Sequence, residues 1–134
     1  MGAREHGFVP LFRKRRTKGV DPDERSPKFG VKYKDLMVMN QLVEHGADLT
    51  EAREVIFYSY APSQEAAKRM ASEAAGEGFA TEVREPVPQH PAQWRVVCKK
   101  HAVVDPMFVR GAVEFFEGLA TRNGAEYDGW EAAL

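Results

Sequence analysis

The sequence predicts a mixed α+β domain, in which two helices pack on a four-stranded antiparallel sheet behind one extra helix and a basic arm. Three observations lead there. Runs rich in β-branched and aromatic residues alternate with amphipathic stripes in the order α-β-α-β-β-α-β. Nearly every change of period falls at Pro, Gly or a capping residue. The chain has 134 residues, enough for one hydrophobic core.

Residues 1–33 hold Pro10, Pro22 and Pro27 with Gly2, Gly7, Gly19 and Gly30 between them. No apolar period survives that punctuation, so a disordered arm is expected over 1–33 and a folded domain over 34–134. Phe8, Val9, Leu11 and Phe12 form a short apolar patch that cannot build a core. A first helix is expected over 35–45: Leu36, Met39, Leu42 and Val43 make a stripe, Asp35 sits at the N-cap or first turn, and Gly46 stops it. Residues 53–60 (REVIFYSY) read as a strand that is apolar on both faces. Ser63 then caps a helix with Ala67, Met70, Ala71 and Ala74 on one stripe. Residues 79–85 alternate as a half-buried strand, and Pro86, Pro88 and Pro91 make a loop. In the strand at 93–101, Trp94, Val96 and Cys98 share one face, and Arg95, Val97 and Lys99 the other. Asp105-Pro106 is an N-cap with Pro at the first helical position. The helix behind it carries Val109, Ala112, Val113, Phe116 and Ala120 and stops at Asn123-Gly124. A short strand at 125–130 closes the chain.

Without its first helix the order is βαββαβ, the split arrangement of the ferredoxin-like fold. Because the strand at 53–60 is apolar on both sides, its outer face needs a cover: the first helix, a second copy as a homodimer, or a partner protein.

The composition, 43% hydrophobic and 29% charged, is that of a soluble globular protein. No run approaches the ~20 apolar residues of a membrane span, and no apolar signal segment is visible. With a single cysteine, Cys98, this fits a reducing cytoplasm. The net charge of −1 hides an asymmetry: residues 1–34 carry ten Lys/Arg and four Asp/Glu, residues 35–134 nine and sixteen. Arg13, Lys14, Arg15, Arg16 and Lys18 are the densest cations. They read either as a nucleic-acid contact or as a solvated tail.

Catalytic chemistry has little to stand on. His6, His45, His90 and His101 have no metal-ligand spacing, His101 and Cys98 point to opposite strand faces, and no glycine loop of phosphate-binding type is present. No enzyme, cofactor or metal is expected, and Cys98 reads as a small buried hydrophobe. Tyr58, Tyr60 and Trp94 lie on strands that should be central, where some ferredoxin-like sheets stack RNA bases. The basic-aromatic signature of such sheets is absent and the body is acidic, so packing or cover by the first helix is the expected fate of these rings.

The segment Asn123-Gly124-Ala125-Glu126-Tyr127-Asp128-Gly129-Trp130 resembles the Gly…Tyr-Asp-Gly-Trp ending of the regulator of ribonuclease activity B family (RraB), inhibitors of ribonuclease E. Gly46-Ala47-Asp48, residues 53–60 and Glu77-Gly78-Phe79 resemble the family's segments at the matching places, so the resemblance runs from about Leu36 to Ala133. It implies a ferredoxin-like fold and a non-enzymatic protein that binds an endoribonuclease of the ribonuclease E type and restrains RNA decay. Tyr127, Asp128, Trp130, Tyr58 and Tyr60 are the candidate partner-binding residues. In purely structural terms, Asp128-Gly129 reads as a bulge or a strand-ending turn, with Trp130 folded back on the sheet. Two other readings remain: a nucleic-acid module using the arm at 13–18, and an immunity-like module that neutralises another protein.

Overall fold

The computed structural model describes residues 20–134. Its elements are α1 (Tyr33–Glu44), β1 (Ala52–Ala61), α2 (Gln64–Gly76), β2 (Ala80–Arg84), β3 (Trp94–Val103), α3 (Pro106–Arg122) and β4 (Glu126–Ala132). The strands form one antiparallel sheet in the order β2-β3-β1-β4. With α1 set aside, this is the ferredoxin-like order, β1 and β3 at its centre. The chain divides into two compact units: one holds the chain up to Val55, His101–Ala112 and Glu131–Leu134, the other Ile56–Lys100 and Val113–Trp130.

In the first unit, order begins well before the expected boundary. Residues 20–32 are a series of turns: Glu24 N–H donates to Asp21 O (3.1 Å), Ser26 N–H to Val31 O (2.7 Å) and Gly30 N–H to Ser26 O (2.8 Å). Arg25 and Lys32 form an antiparallel bridge, and Val31 is only 1% exposed. The expected disorder therefore does not hold for this stretch. Consecutive turns have no repeat, so a search for periodicity passes over them. Residues 1–19 lie outside the described residues.

Lys32 is the N-cap of α1 and makes no side-chain cap bond; Asp35 lies in the first turn and is buried. The buried residues of the helix are Asp35, Val38, Met39, Gln41 and Leu42, whereas Val43, expected inside, is exposed. Counting apolar residues alone turned the stripe, because two of its positions, Asp35 and Gln41, are polar. After Gly46, at φ +92°, the chain returns to β1 through Arg53. That buried guanidinium donates to Asp48 O (2.6 Å) and Ala133 O (3.0 Å), tying the loop after α1 to the chain's last residues.

In the second unit, Ser63 Oγ accepts from Ala66 N–H (3.2 Å) and caps α2. The small buried side chains Ala66, Ala67 and Ala74, with Met70, let α2 pack closely on β2. Arg122 reaches from α3 to Glu73 of α2 at 3.3 Å. The core is aromatic. The Phe57 ring stacks on Phe116 (4.8 Å between centroids) and meets Phe79 edge-on (5.8 Å). Trp130, 1% exposed, lies 6.3 Å from Phe57.

β4 resolves the choice left open at Asp128-Gly129. Tyr127 stacks on Phe116 and Trp130 on Phe57, so positions 127 and 130 face the same side of the sheet. Strict alternation forbids that. One extra residue, with Gly129 at φ +111°, makes a bulge. The strand then runs on, and Ala133 N–H donates to Glu54 O (2.9 Å).

Trp130→Ala is expected to cost about 3–5 kcal/mol of a total of about 5–15, read as a steep fall in the urea midpoint. Trp130→Phe, which keeps a ring in the site, should recover more than half of the loss.

Candidate functional site

In β1 the side chains alternate, with Phe57, Ser59 and Ala61 buried and Tyr58 and Tyr60 half-buried. Phe57 enters the aromatic core, so Tyr58 and Tyr60 project from the opposite face. Register fills in the rest of that face. Arg84 of β2 stands directly opposite Arg95 of β3, and Glu82 opposite Val97. The Arg95 guanidinium carbon lies 5.7 Å from the Tyr60 ring centroid. Arg84, Arg95, Glu82, Val97 and Lys99 therefore share a face with the two tyrosines.

Like charges directly across a strand pair repel, and each arginine is offset separately. Arg84 is held by both oxygens of Glu82 (2.9 and 3.3 Å). That bond keeps the Glu82 carboxyl below its ordinary range and raises the Arg84 pKa. Arg95 lies over the tyrosine ring, an arrangement that leaves the edge N–H groups of a stacked guanidinium able to donate. The β2–β3 loop, turned by His90 N–H to Val87 O (3.0 Å) and Gln93 N–H to His90 O (3.1 Å), closes a cavity of about 390 Å³ lined by Tyr60, Arg84, Glu85, Val87, His90, Gln93 and Arg95. Ring faces beside fixed donors suit a protein surface that binds another chain.

The sequence-predicted residues are not brought together. Tyr58 and Tyr60 lie half-buried on this face, beside Ile56 and Val97, which are buried. Trp94 is half-buried on the opposite strand face, with Val96 and Cys98. Tyr127 and Trp130 face the helices. Burial of Trp130 leaves its ring no surface to offer a partner, and Asp128 is half-buried at the bulge. Arg13, Lys14, Arg15, Arg16 and Lys18 lie outside the described residues. Sequence reasoning missed Arg84, His90 and Gln93 as neighbours of Tyr60. Alternation placed Arg95 and Lys99 on one face, but register alone brings Arg84 beside them.

Cys98 is 1% exposed, and burial pushes its thiol up to about 12, which suits packing rather than nucleophilic work. Among the described residues no group of three His, Cys, Asp or Glu could hold a metal ion.

The sequence matches the family model described as regulator of ribonuclease activity B over residues 34–132. The chain belongs to the regulator of ribonuclease activity B family. Membership makes it a regulator of ribonuclease E activity that works by binding rather than by catalysis. The matched span runs from the first turn of α1 to the last residue of β4 and begins after the basic run. No curated protein matches the chain. Among the described residues no helix is long and apolar enough to cross a membrane.

The buried thiol gives a pH dependence with a definite sign. Below an unfolded thiol pKa of about 8.5 both states keep the proton. Between there and the folded value of about 12 the unfolded chain loses it first, so stability falls as pH rises, by about 1.4 kcal/mol per unit from this group. Urea midpoints between about pH 8 and 10.5 should drop more steeply for the native chain than for Cys98→Ala; parallel curves would contradict the assignment.

Proposed function

We propose that this RraB-family chain acts in the cytoplasm, where it binds an endoribonuclease of the ribonuclease E type and restrains it, with the open face around Tyr58 and Tyr60 as contact surface. The family match over residues 34–132 carries this reading. Charge supports it. Residues 35–134 hold sixteen Asp/Glu against nine Lys/Arg, and Glu44, Glu51, Glu65, Glu85 and Glu126 are exposed. An acidic body is steered toward the basic, RNA-binding parts of a nuclease and competes there with RNA. Tyr58 and Tyr60 supply aromatic anchors of the kind that dominate interfaces; their face carries Arg84, Arg95 and Lys99 against Glu82, so the acidic charge that steers encounter lies elsewhere on the body.

The test is cleavage of a fluorescent RNA by a purified ribonuclease E-type enzyme as the chain is titrated in. Cleavage should slow saturably. The Tyr58→Ala/Tyr60→Ala double variant should need at least tenfold more protein for the same effect while its melting midpoint stays within a few degrees. Unslowed cleavage at saturating chain would sink the inhibitory reading. Full inhibition by the double variant would move the contact off this face.

A further inference from the structure

A groove of about 460 Å³ lies in the unit that holds α1, lined by Lys28, Phe29, Asp105, Pro106, Met107 and Arg110. Two of its walls are apolar and open to water: Met107 is 85% exposed and Phe29 41%. Single exposed apolar side chains are ordinary; here two of them line one groove. Methionine, unbranched and polarizable, adapts its shape to what it meets.

The groove is built before anything enters it. Phe29 N–H donates to Ser26 Oγ (3.3 Å), and Arg25 Nη1 donates to Gly30 O (2.7 Å). Gly30 has φ +74°, and a Cβ there would stand 3.1 Å from Arg110 Nη1, so the Arg110 side chain lies close against this turn. A larger residue at 30 would be strained by its backbone and crowded by Arg110.

Charge selects the occupant. The one carboxylate of the lining, Asp105, is engaged: its Oδ1 accepts from Phe108 N–H (2.8 Å) and caps α3. Lys28 and Arg110 remain as cations at the rim, with Lys28 Nζ 5.2 Å from the Phe29 centroid. A guanidinium offers a carboxylate two parallel N–H bonds. Two apolar walls between two cations complement an apolar side chain flanked by acids. The chain's own segment Phe8–Phe12 runs into Arg13-Lys14-Arg15-Arg16 and carries the same sign as the groove. Lys28 and Phe29 precede the family match, which starts at residue 34, so two of the six lining residues come from sequence outside the matched span.

We propose that this groove docks a short acidic segment of a partner protein, with an apolar side chain between Phe29 and Met107 and carboxylates on Lys28 and Arg110. The proposal stands apart from the nuclease reading, because its residues are not those of the Tyr58–Tyr60 face.

The experiment is a titration of the full chain, labelled at methionine methyl groups, with a blocked pentapeptide of one leucine between pairs of acidic residues. The Met107 methyl signal should shift saturably. The neutral Gln/Asn analogue should bind at least tenfold more weakly, as should the Lys28→Gln/Arg110→Gln variant with the acidic peptide. Met107→Ser should weaken binding about fivefold, and melting midpoints of all variants should stay near that of the native chain. Four results would overturn the proposal: no saturable shift; equal binding of the acidic and neutral peptides; tighter binding of a basic peptide copied from residues 6–16; or a Met107 shift that follows protein concentration without peptide, the mark of a second copy.

Discussion

The position of the Phe57 side chain is the constraint from which the described surface follows. Its ring stacks on Phe116 at 4.8 Å and meets Phe79 at 5.8 Å, and Trp130 lies 6.3 Å away. Strand side chains alternate with period two, so committing Phe57 to this cluster commits Ser59 and Ala61 to the same face and sends Tyr58 and Tyr60 to the other. A slip of one residue would exchange the two sets and put tyrosine hydroxyls into an aromatic core. The face that carries Tyr58 and Tyr60 is in this sense a by-product of core packing.

β4 meets the same constraint by a different device. It must bring two large rings, Tyr127 and Trp130, to the helix side, and an uninterrupted strand cannot place positions 127 and 130 on one face. The bulge at Asp128-Gly129 supplies the extra residue, and glycine makes its φ of +111° accessible. The Tyr127-Asp128-Gly129-Trp130 segment is thus explained by packing, with Trp130 buried. The open face is built instead from side chains of three strands. There two arginines stand opposite each other, a placement that raises the energy of the sheet unless each is offset, here by Glu82 and by the Tyr60 ring.

The charge asymmetry of the chain also has a structural counterpart. Part of the basic N-terminal third is built into the fold, through the turns at 20–32 and the Lys34–Asp23 ion pair at 2.8 Å. That packed stretch brings Lys28 and Phe29 to the start of α3. An acidic body thereby carries a cationic, partly apolar groove. Surfaces of opposite sign on one small chain allow contacts with partners of different charge.

By itself the sequence determined the element order, most of the caps and the family. Those features rest on local physics: Ser63 accepting from Ala66 N–H, Asp105-Pro106 opening α3, Gly46, Gly78 and Gly124 in left-handed conformations, and period-two alternation in β1 and β3. It also placed Arg95, Val97 and Lys99 on one face. Other features were out of its reach because they depend on which strands are neighbours and in what register. Arg84 meets Arg95 only through the β2–β3 pairing. At Asp128-Gly129 the sequence allowed a bulge or a strand-ending turn, and only the shared side of Tyr127 and Trp130 decides for the bulge. The α1 stripe runs through Asp35, which no count of apolar residues includes. The turns at 20–32 have no period to detect, and their place against Arg110 joins residues far apart in the chain. Local rules act over a few neighbouring residues, whereas these features come from side chains that only the folded chain brings together.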